Sequence, residues 1–196
     1  WKICTTGNSK NKRGCALFMS VIIKSITHAD GGNNYRLNAM KYCLDERCIL
    51  KKGYGVDIID PEVAAMHFRN VDAFWNNEHK NPFIQYMISF DKETASTPEE
   101  AMRLTREILE PITKEHLALS VVHRDERSDA MYHSHTYVGA TNFHNGSMLY
   151  SDNKTNYEMA QRTADVTGQS AKLVVDYGKD KQWECKKVFV PAEDDE

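Results

Sequence analysis

The sequence predicts an α+β fold with a mainly antiparallel central β-sheet and flanking helices. Segments typical of strands and of helices are mixed along the chain, without the strict alternation that builds a parallel sheet. Two neighbouring strands are expected over residues 117–123 and 131–140, with residues 124–130 as the loop of an antiparallel pair. The 196 residues, 41% of them hydrophobic, suit one domain with a sizeable core.

The expected domain occupies residues 19–190. Residues 1–18 have no clear helix or strand pattern and precede the first strand, so we expect an N-terminal extension outside the fold. Residues 191–196 end in EDDE, and we expect them to form an acidic tail.

The first elements follow from apolar pattern and turn residues. Residues 20–27 read SVIIKSIT, a short apolar run rich in β-branched residues, which predicts a strand. Residues 28–34 contain Gly, Asn and Asp and are expected to form a loop. Residues 35–44 are predicted to be helical because Met40 and two leucines recur at spacings of three and four.

Two further helices are marked by their N-terminal residues. Residues 60–75 are predicted to form the first, with Asp60 as the N-cap and Pro61 at the first helical position. Residues 96–109 open with STPEE, which contains a capping box, and predict the second. We expect this helix to end before Pro111, because the residue before a proline disfavours the helical conformation.

The remaining elements lie around the predicted strand pair. Runs of β-branched and aromatic residues predict strands outside that pair over residues 83–90 and 171–177. The dipeptide Asn145-Gly146 predicts a hairpin turn. Residues 153–166 are predicted to be helical, with Gly168 ending the helix.

Composition limits the classes of function. The net charge of −3 lacks the excess of Lys and Arg typical of nucleic-acid-binding proteins, so a nucleic acid would need a local basic patch or a metal ion. Five cysteines without a CxxC pair indicate a reducing cytosol. Apolar runs fall short of the roughly 20 residues that cross a bilayer, so we expect no membrane insertion.

A histidine cluster is the strongest sign of chemistry. In VVHRDERSDAMYHSHTYV, side-chain alternation places His133 and His135 on the same face of one strand. His123 ends the preceding strand at the edge where His133 begins the next, so three imidazoles are expected to converge. Imidazole is the commonest metal ligand, and a site with three of them leaves positions open for substrate.

Some of these residues also fit a non-functional interpretation. An HxH pair alone also arises on solvated strand faces, and it is His123 that favours a metal site. Asp125 fits either a carboxylate that orients a ligating histidine or an ordinary loop residue. Neutral imidazoles accept several divalent ions, so Mg²⁺, Mn²⁺ and other metals remain open. The other histidines are expected to be surface or loop residues: His28, His67, His79, His116 and His144.

Three stretches resemble a known family. VVHRDERSDAMYHSHTYVGATN resembles the metal-binding motif of relaxases in the mobilisation-nuclease (HUH endonuclease) superfamily. Residues 24–46 resemble the opening strand, loop and tyrosine-bearing helix of these enzymes, and residues 83–108 resemble their second strand and the helix after it. The resemblance implies an HUH-like sandwich and a divalent-metal-dependent endonuclease that nicks one DNA strand through a phosphotyrosine.

The resemblance also implies residue roles. Tyr42 occupies the position of the nucleophile, and Tyr35 competes because it lies two helical turns earlier on the same face. Nearby basic residues would contact DNA phosphates, namely Lys24, Arg36 and Lys41.

The partners and location implied are those of plasmid or transposon mobilisation in the bacterial cytoplasm. The substrate would be single-stranded or supercoiled origin-of-transfer DNA. Accessory mobilisation proteins and a secretion coupling protein would be further partners.

Alternative functions stay open at this point. A rolling-circle replication initiator of the same superfamily would place its tyrosine after the histidines, and Tyr157 is available there. A non-catalytic DNA-binding relative would fit the weak positive charge and Met131, where family members often carry another histidine. Histidine-triad hydrolases use HxHxH, but Tyr137 interrupts that pattern.

Overall fold

The protein is described by a computed structural model over residues 20–28, 34–78, 80–124, 130–176 and 183–192. The predicted extension 1–18 and residues 193–196 of the acidic tail lie outside the described residues. No helix in the described part of the chain is long and apolar enough to cross a membrane.

Seven strands form one sheet in the order β2-β4-β5-β3-β1-β6-β7, and every pairing except β1–β6 is antiparallel. This confirms the predicted α+β fold with a mainly antiparallel sheet. The elements are β1 (Ser20–His28), α1 (Tyr35–Cys43), β2 (Leu50–Tyr54), α2 (Pro61–Phe74), β3 (Phe83–Asp91), α3 (Pro98–Thr113), β4 (His116–Arg124), β5 (Ala130–Asn142), α4 (Asn153–Thr167), β6 (Ser170–Asp176) and β7 (Trp183–Phe189).

Two hydrophobic clusters show that the helices cover both faces of the sheet. The larger cluster joins α3 and α4 to one face, with Ile108 and Ala160 packed against strand residues such as Tyr86. The smaller cluster joins α1 and α2 to the other face, where Met40 and Phe68 pack. Burial of these apolar side chains is the main force that fixes the helices on the sheet.

The helix ends confirm the cap predictions. The Asp60 carboxylate accepts a hydrogen bond from the backbone N–H of Glu62 at 2.8 Å, which satisfies a free donor of the first turn of α2. Thr97 Oγ1 accepts from the N–H of Glu100 at the start of α3. Gly168 follows α4 with a φ of 64°, a conformation that glycine adopts without steric cost.

The predicted end of α3 was wrong, because the helix continues through Pro111 to Thr113. A proline has no N–H to donate to the carbonyl four residues earlier, which here belongs to Glu107. The Arg162 guanidinium from α4 takes over that carbonyl, with Nη2 2.7 Å from the Glu107 oxygen, and also donates to Ile108. A tertiary contact therefore stabilises the turn that proline would otherwise break.

Two strands were not predicted. β2 (LKKGY) and β7 (WECKKVF) both lie at edges of the sheet. Each contains paired lysines in place of an apolar alternation, because edge strands meet solvent and charged side chains there prevent pairing with other chains.

Candidate active site

The three predicted histidines lie on neighbouring strands at one end of the β4–β5 pair. His123 is directly opposite His133 in the antiparallel register, and His135 is opposite Val121 on β4 and Met87 on β3. Directly paired residues share a face of the sheet, so backbone register alone brings the three rings to the face that α1 and α2 cover.

The ring geometry fits a common metal ion. His135 lies 5.1 Å from both other rings, centroid to centroid, and His123 and His133 are 5.5 Å apart. One ligand nitrogen from each residue lies within 4.8 Å of the others. Nitrogens about 2.1 Å from a shared ion lie about 3.4 Å apart in a tetrahedral site, so side-chain rotations that bring the rings slightly closer would complete the coordination. This is the one group of potential metal ligands found in the described parts of the chain.

The surroundings keep His123 and His135 neutral, as metal ligands must be. Burial lowers the pKa of His123, and the charges of His133 and Arg47 lower it further. Burial, followed by the charges of His133 and His123, lowers the pKa of His135 to about 3. A neutral imidazole has a free lone pair near neutral pH, so the cluster is suited to a cation.

Two hydrogen-bond observations support the fit to a metal. His123 Nε2 is buried and has no hydrogen-bond partner among the described residues, as expected for an atom reserved for a ligand. His135 Nδ1 lies 2.9 Å from the buried side-chain amide of Gln85. In this orientation the Gln85 amide nitrogen faces His135 Nδ1. Rotating the amide group by 180° places its oxygen there instead. Nδ1–H then donates a hydrogen bond to the amide oxygen, and Nε2 is left for the metal.

Tyr42 lies at the C-terminal end of α1 and is 47% exposed. The guanidinium of Arg47 stands 4.8 Å from the centre of its ring. Asp45 holds that guanidinium, accepting from Arg47 Nε at 2.8 Å and from its Nη2. The chain then enters β2 beside the histidines, because the N–H of Ile49 donates to the carbonyl of Val122.

Tyr35 has a different environment. Its ring is half-buried and lies 6.4 Å from that of Phe83 in the cluster beneath α1. Burial raises the pKa of its phenol, which disfavours the phenolate. Of the two candidate nucleophiles, Tyr42 is the more accessible.

The placement of Arg36 does not fit the predicted phosphate contact. Arg36 is 7% exposed, and its Nη2 lies 2.6 Å from the Asp72 carboxylate. Asp72 also accepts from the Thr141 hydroxyl at 2.6 Å. Burial raises the pKa of Asp72, and the bonds from Thr141 and Arg36 oppose this shift. The guanidinium therefore joins α1 to α2 through a buried ion pair.

The other predicted residues divide into those near the histidines and those away from them. Lys24 on β1 lies opposite Met87 and thus in one row with His135, two strand spacings or about 10 Å away. Lys41 is exposed on α1. Asp125 lies outside the described residues. Tyr157 packs on α4 with its ring 5.6 Å from Phe189, on the opposite face of the sheet.

Three residues beside the site were not predicted from the sequence. Gln85 interrupts the apolar strand FIQYMISF, and a polar residue in such a strand is a detectable signal. Asp45 and Arg47 carry no such signal, because only the folded chain brings them beside Tyr42.

Comparison with known proteins agrees with this geometry. Residues 37–171 match the family model described as relaxase, MobA/VirD2-like, nuclease domain. The match spans more than half of the chain and includes Tyr42 and the three histidines. No curated protein sequence matches the chain significantly. With a sheet that brings three histidines together and a family match over most of its elements, the chain belongs to the relaxase family, as a MobA/VirD2-like nuclease domain and a DNA-nicking enzyme.

Proposed function

We propose that the protein nicks single-stranded origin DNA with Tyr42 as the nucleophile and a divalent ion held by His123, His133 and His135. The observation that carries this proposal is the convergence of the three imidazoles on the sheet face bordered by α1 and the loop that follows Tyr42. Family membership supports nicking of DNA. The tyrosine ester, the metal and the role in plasmid or transposon transfer are our inferences.

The proposed reaction is a reversible transesterification. The Tyr42 hydroxyl oxygen forms a bond to the scissile phosphorus, and the bond from phosphorus to the 3′ oxygen breaks. The phenolic proton leaves to solvent, and the departing 3′ oxygen takes up a proton. A divalent ion, when bound, neutralises charge on the phosphate oxygens. The ester bond to tyrosine conserves the energy needed to rejoin the strand.

The residues around the site would have separate tasks. Gln85 would orient the His135 ring so that its lone pair faces the cluster. Lys24, on the same face about two strand spacings away, would contact a DNA phosphate. Lys41 is exposed beside Tyr42 on α1 and would do the same along the incoming strand.

The partners beyond DNA follow from the family resemblance. Origin-of-transfer DNA must present a single strand, because a nucleophile on a rigid helix reaches a flexible strand more easily than a stacked duplex. Accessory mobilisation proteins would expose that strand, and a secretion coupling protein would receive the covalent product. A cytoplasmic bacterial location stays a prediction.

The test uses a randomised pool of single-stranded DNA, because the target sequence is unknown. The protein is incubated with the pool and Mn²⁺ and denatured. The attached strands are sequenced from their 5′ ends and the released fragments from their 3′ ends, which together define a target oligonucleotide that spans the nick. We expect a shared 5′ sequence joined to a Tyr42 peptide, and no capture in EDTA. Tight binding of DNA without any covalent capture would instead support a non-catalytic DNA-binding protein.

A rolling-circle replication initiator is less consistent with the fold. Its nucleophile would be Tyr157, which lies on α4, on the face of the sheet opposite the histidines. Peptide mapping of the captured adduct distinguishes the two enzymes, because the attachment site is a tyrosine of α1 in one case and of α4 in the other.

A further inference from the structure

Arg47 connects the two halves of the site. Its guanidinium stands 4.8 Å from the centre of the Tyr42 ring. The hydrogen bond to Asp45 raises the pKa of Arg47, and the Tyr42 hydroxyl adds to this effect, so the charge also lies near the phenolic oxygen.

Arg47 also lies close in the fold to the strand that carries His123. The backbone explains this proximity, because Ile49 is bonded to Val122, the residue before His123. Arg47 therefore lies in the short connection between Tyr42 and the strand that carries His123.

The proposed reaction constrains where the scissile phosphate must lie. Its phosphorus must be in reach of the Tyr42 hydroxyl, and one of its oxygens must approach the ion held by the histidines. The phosphate thus occupies the space between these groups, and the guanidinium of Arg47 borders that space.

We propose that Arg47 is a catalytic residue that binds the non-bridging oxygens of the scissile phosphate between Tyr42 and the histidine cluster. This inference rests on the proposed function. The planar fork of arginine matches two phosphate oxygens, as it matches the Asp45 carboxylate here. Charge that develops on those oxygens in the transition state would be stabilised by a cation already in position.

Asp45 acts as a placeholder in this scheme. The Arg47 side chain is 57% exposed, so its ion pair with Asp45 is largely solvated. Exposed ion pairs contribute little to stability, and a phosphate that accepts two hydrogen bonds beside a metal ion competes well with such a pair. Asp45 thus holds the guanidinium near Tyr42 before DNA arrives without preventing its transfer to the phosphate.

The test compares Arg47→Ala and Arg47→Lys with the wild type, and Arg103→Ala as the control. Arg103 has a similarly exposed ion pair with Glu107, on the helix layer of the other face. The measurement is the single-turnover rate of covalent adduct formation at a saturating concentration of the target oligonucleotide defined with the randomised pool. We expect Arg47→Ala to lower this rate about 100- to 1,000-fold, the usual effect of losing one transition-state donor.

Three further results separate a direct contact from a structural role. We expect Arg47→Lys to recover only part of the rate, because a lysine cannot bind two oxygens in the same plane. Guanidinium ions at tens of millimolar should restore much of the Arg47→Ala rate. The Tm should match the wild type in both variants, and Mn²⁺ should bind no more weakly than in the wild type.

Different outcomes would overturn different parts of the proposal. A normal rate in Arg47→Ala, a loss that guanidinium does not restore, or a loss accompanied by weaker Mn²⁺ binding would overturn the role of Arg47 alone. Failure of the wild-type protein to form any adduct would overturn the proposed function, and the role of Arg47 with it.

Discussion

His123 lies directly opposite His133 across the β4–β5 pair, and the two imidazole rings are 5.5 Å apart. This relationship is set by strand register, which cannot slip by one residue without turning every core side chain of β5 to the wrong face. The site is therefore built on interior strands of the sheet, and the histidines need little rearrangement to receive an ion.

Replacing His133 and His135 together by alanine should abolish metal binding. The wild-type protein should bind about one divalent ion per chain, as expected for a site with three imidazoles. Titration calorimetry with Mn²⁺ and Co²⁺ measures both the stoichiometry and the affinity. His144→Ala is the matched control, because His144 is exposed in the turn after β5. Unchanged stoichiometry in the double variant would contradict the assignment of the site.

Gln85→Leu should weaken metal binding about 10- to 100-fold, the usual effect of removing a group that orients a metal ligand. The hydrogen bond between the Gln85 side-chain amide and His135 Nδ1 is lost, and the ring no longer has a preferred tautomer. Gln85→Glu should retain most of the affinity, because a carboxylate also accepts from Nδ1–H. Equal Mn²⁺ affinities for the wild type and the leucine variant would rule out this role.

Arg36→Met should lower the free energy of unfolding by about 3–5 kcal/mol, because it leaves the buried Asp72 carboxylate without its ion-pair partner. Chemical denaturation measures this change. Arg103→Met removes an exposed ion pair with Glu107 and should cost only about 0.5 kcal/mol. If the two variants lose similar stability, the Arg36–Asp72 ion pair between α1 and α2 does not have the structural role assigned to it.

His116 was expected to be a surface or loop residue, but it is buried at the start of β4 and should make stability depend on pH. Burial lowers its pKa in the folded protein, against the weaker opposing effect of the bond from Nδ1–H to the Gly139 carbonyl. The folded pKa lies below the ordinary value of 6.5, so this contribution is full above that value and is lost as pH falls toward the folded pKa.

His116→Gln isolates this contribution, because its amide still donates to the Gly139 carbonyl but does not titrate. Between pH 7 and pH 5, about the range where an ordinary histidine becomes charged, the wild type should lose more unfolding free energy than the variant. His123 and His135 titrate in both proteins and cancel in the comparison. Parallel curves for the two proteins would contradict the assignment.

The central part of the fold was predictable because local pattern and tertiary environment agree there. The β-branched residues of β1 and the caps of α2 and α3 predicted elements that the structure confirms. The edge strands β2 and β7 were missed because their paired lysines interrupt the alternation of apolar and polar residues. Pro111 misled the prediction because the compensating Arg162 is distant in sequence.

The candidate site was predictable only where side-chain alternation fixes geometry. The spacing of His133 and His135 states their common face directly, and strand pairing adds His123. The partner of Arg36 lies on another helix, so its burial was not visible in the sequence. Arg47 was missed although it is close to Tyr42 in sequence, because the sequence does not reveal the loop conformation that places its guanidinium over the Tyr42 ring.

The assignment of the nucleophile is tested most directly by covalent capture with two variants. Tyr42→Phe removes only the attacking oxygen from a half-exposed ring, so Tm and Mn²⁺ affinity should be unchanged. Tyr35→Phe is the matched control, because it makes the same change on the same helix in the cluster beneath it. The substrate is the target oligonucleotide defined with the randomised pool, labelled at its 3′ end.

The measurement is the fraction of protein that carries the labelled strand after denaturation, with Mn²⁺ present. The wild type and Tyr35→Phe should form the adduct, and Tyr42→Phe should form none, because the substitution removes the attacking oxygen beside Arg47. Adduct formation by Tyr42→Phe at the wild-type level would contradict the account.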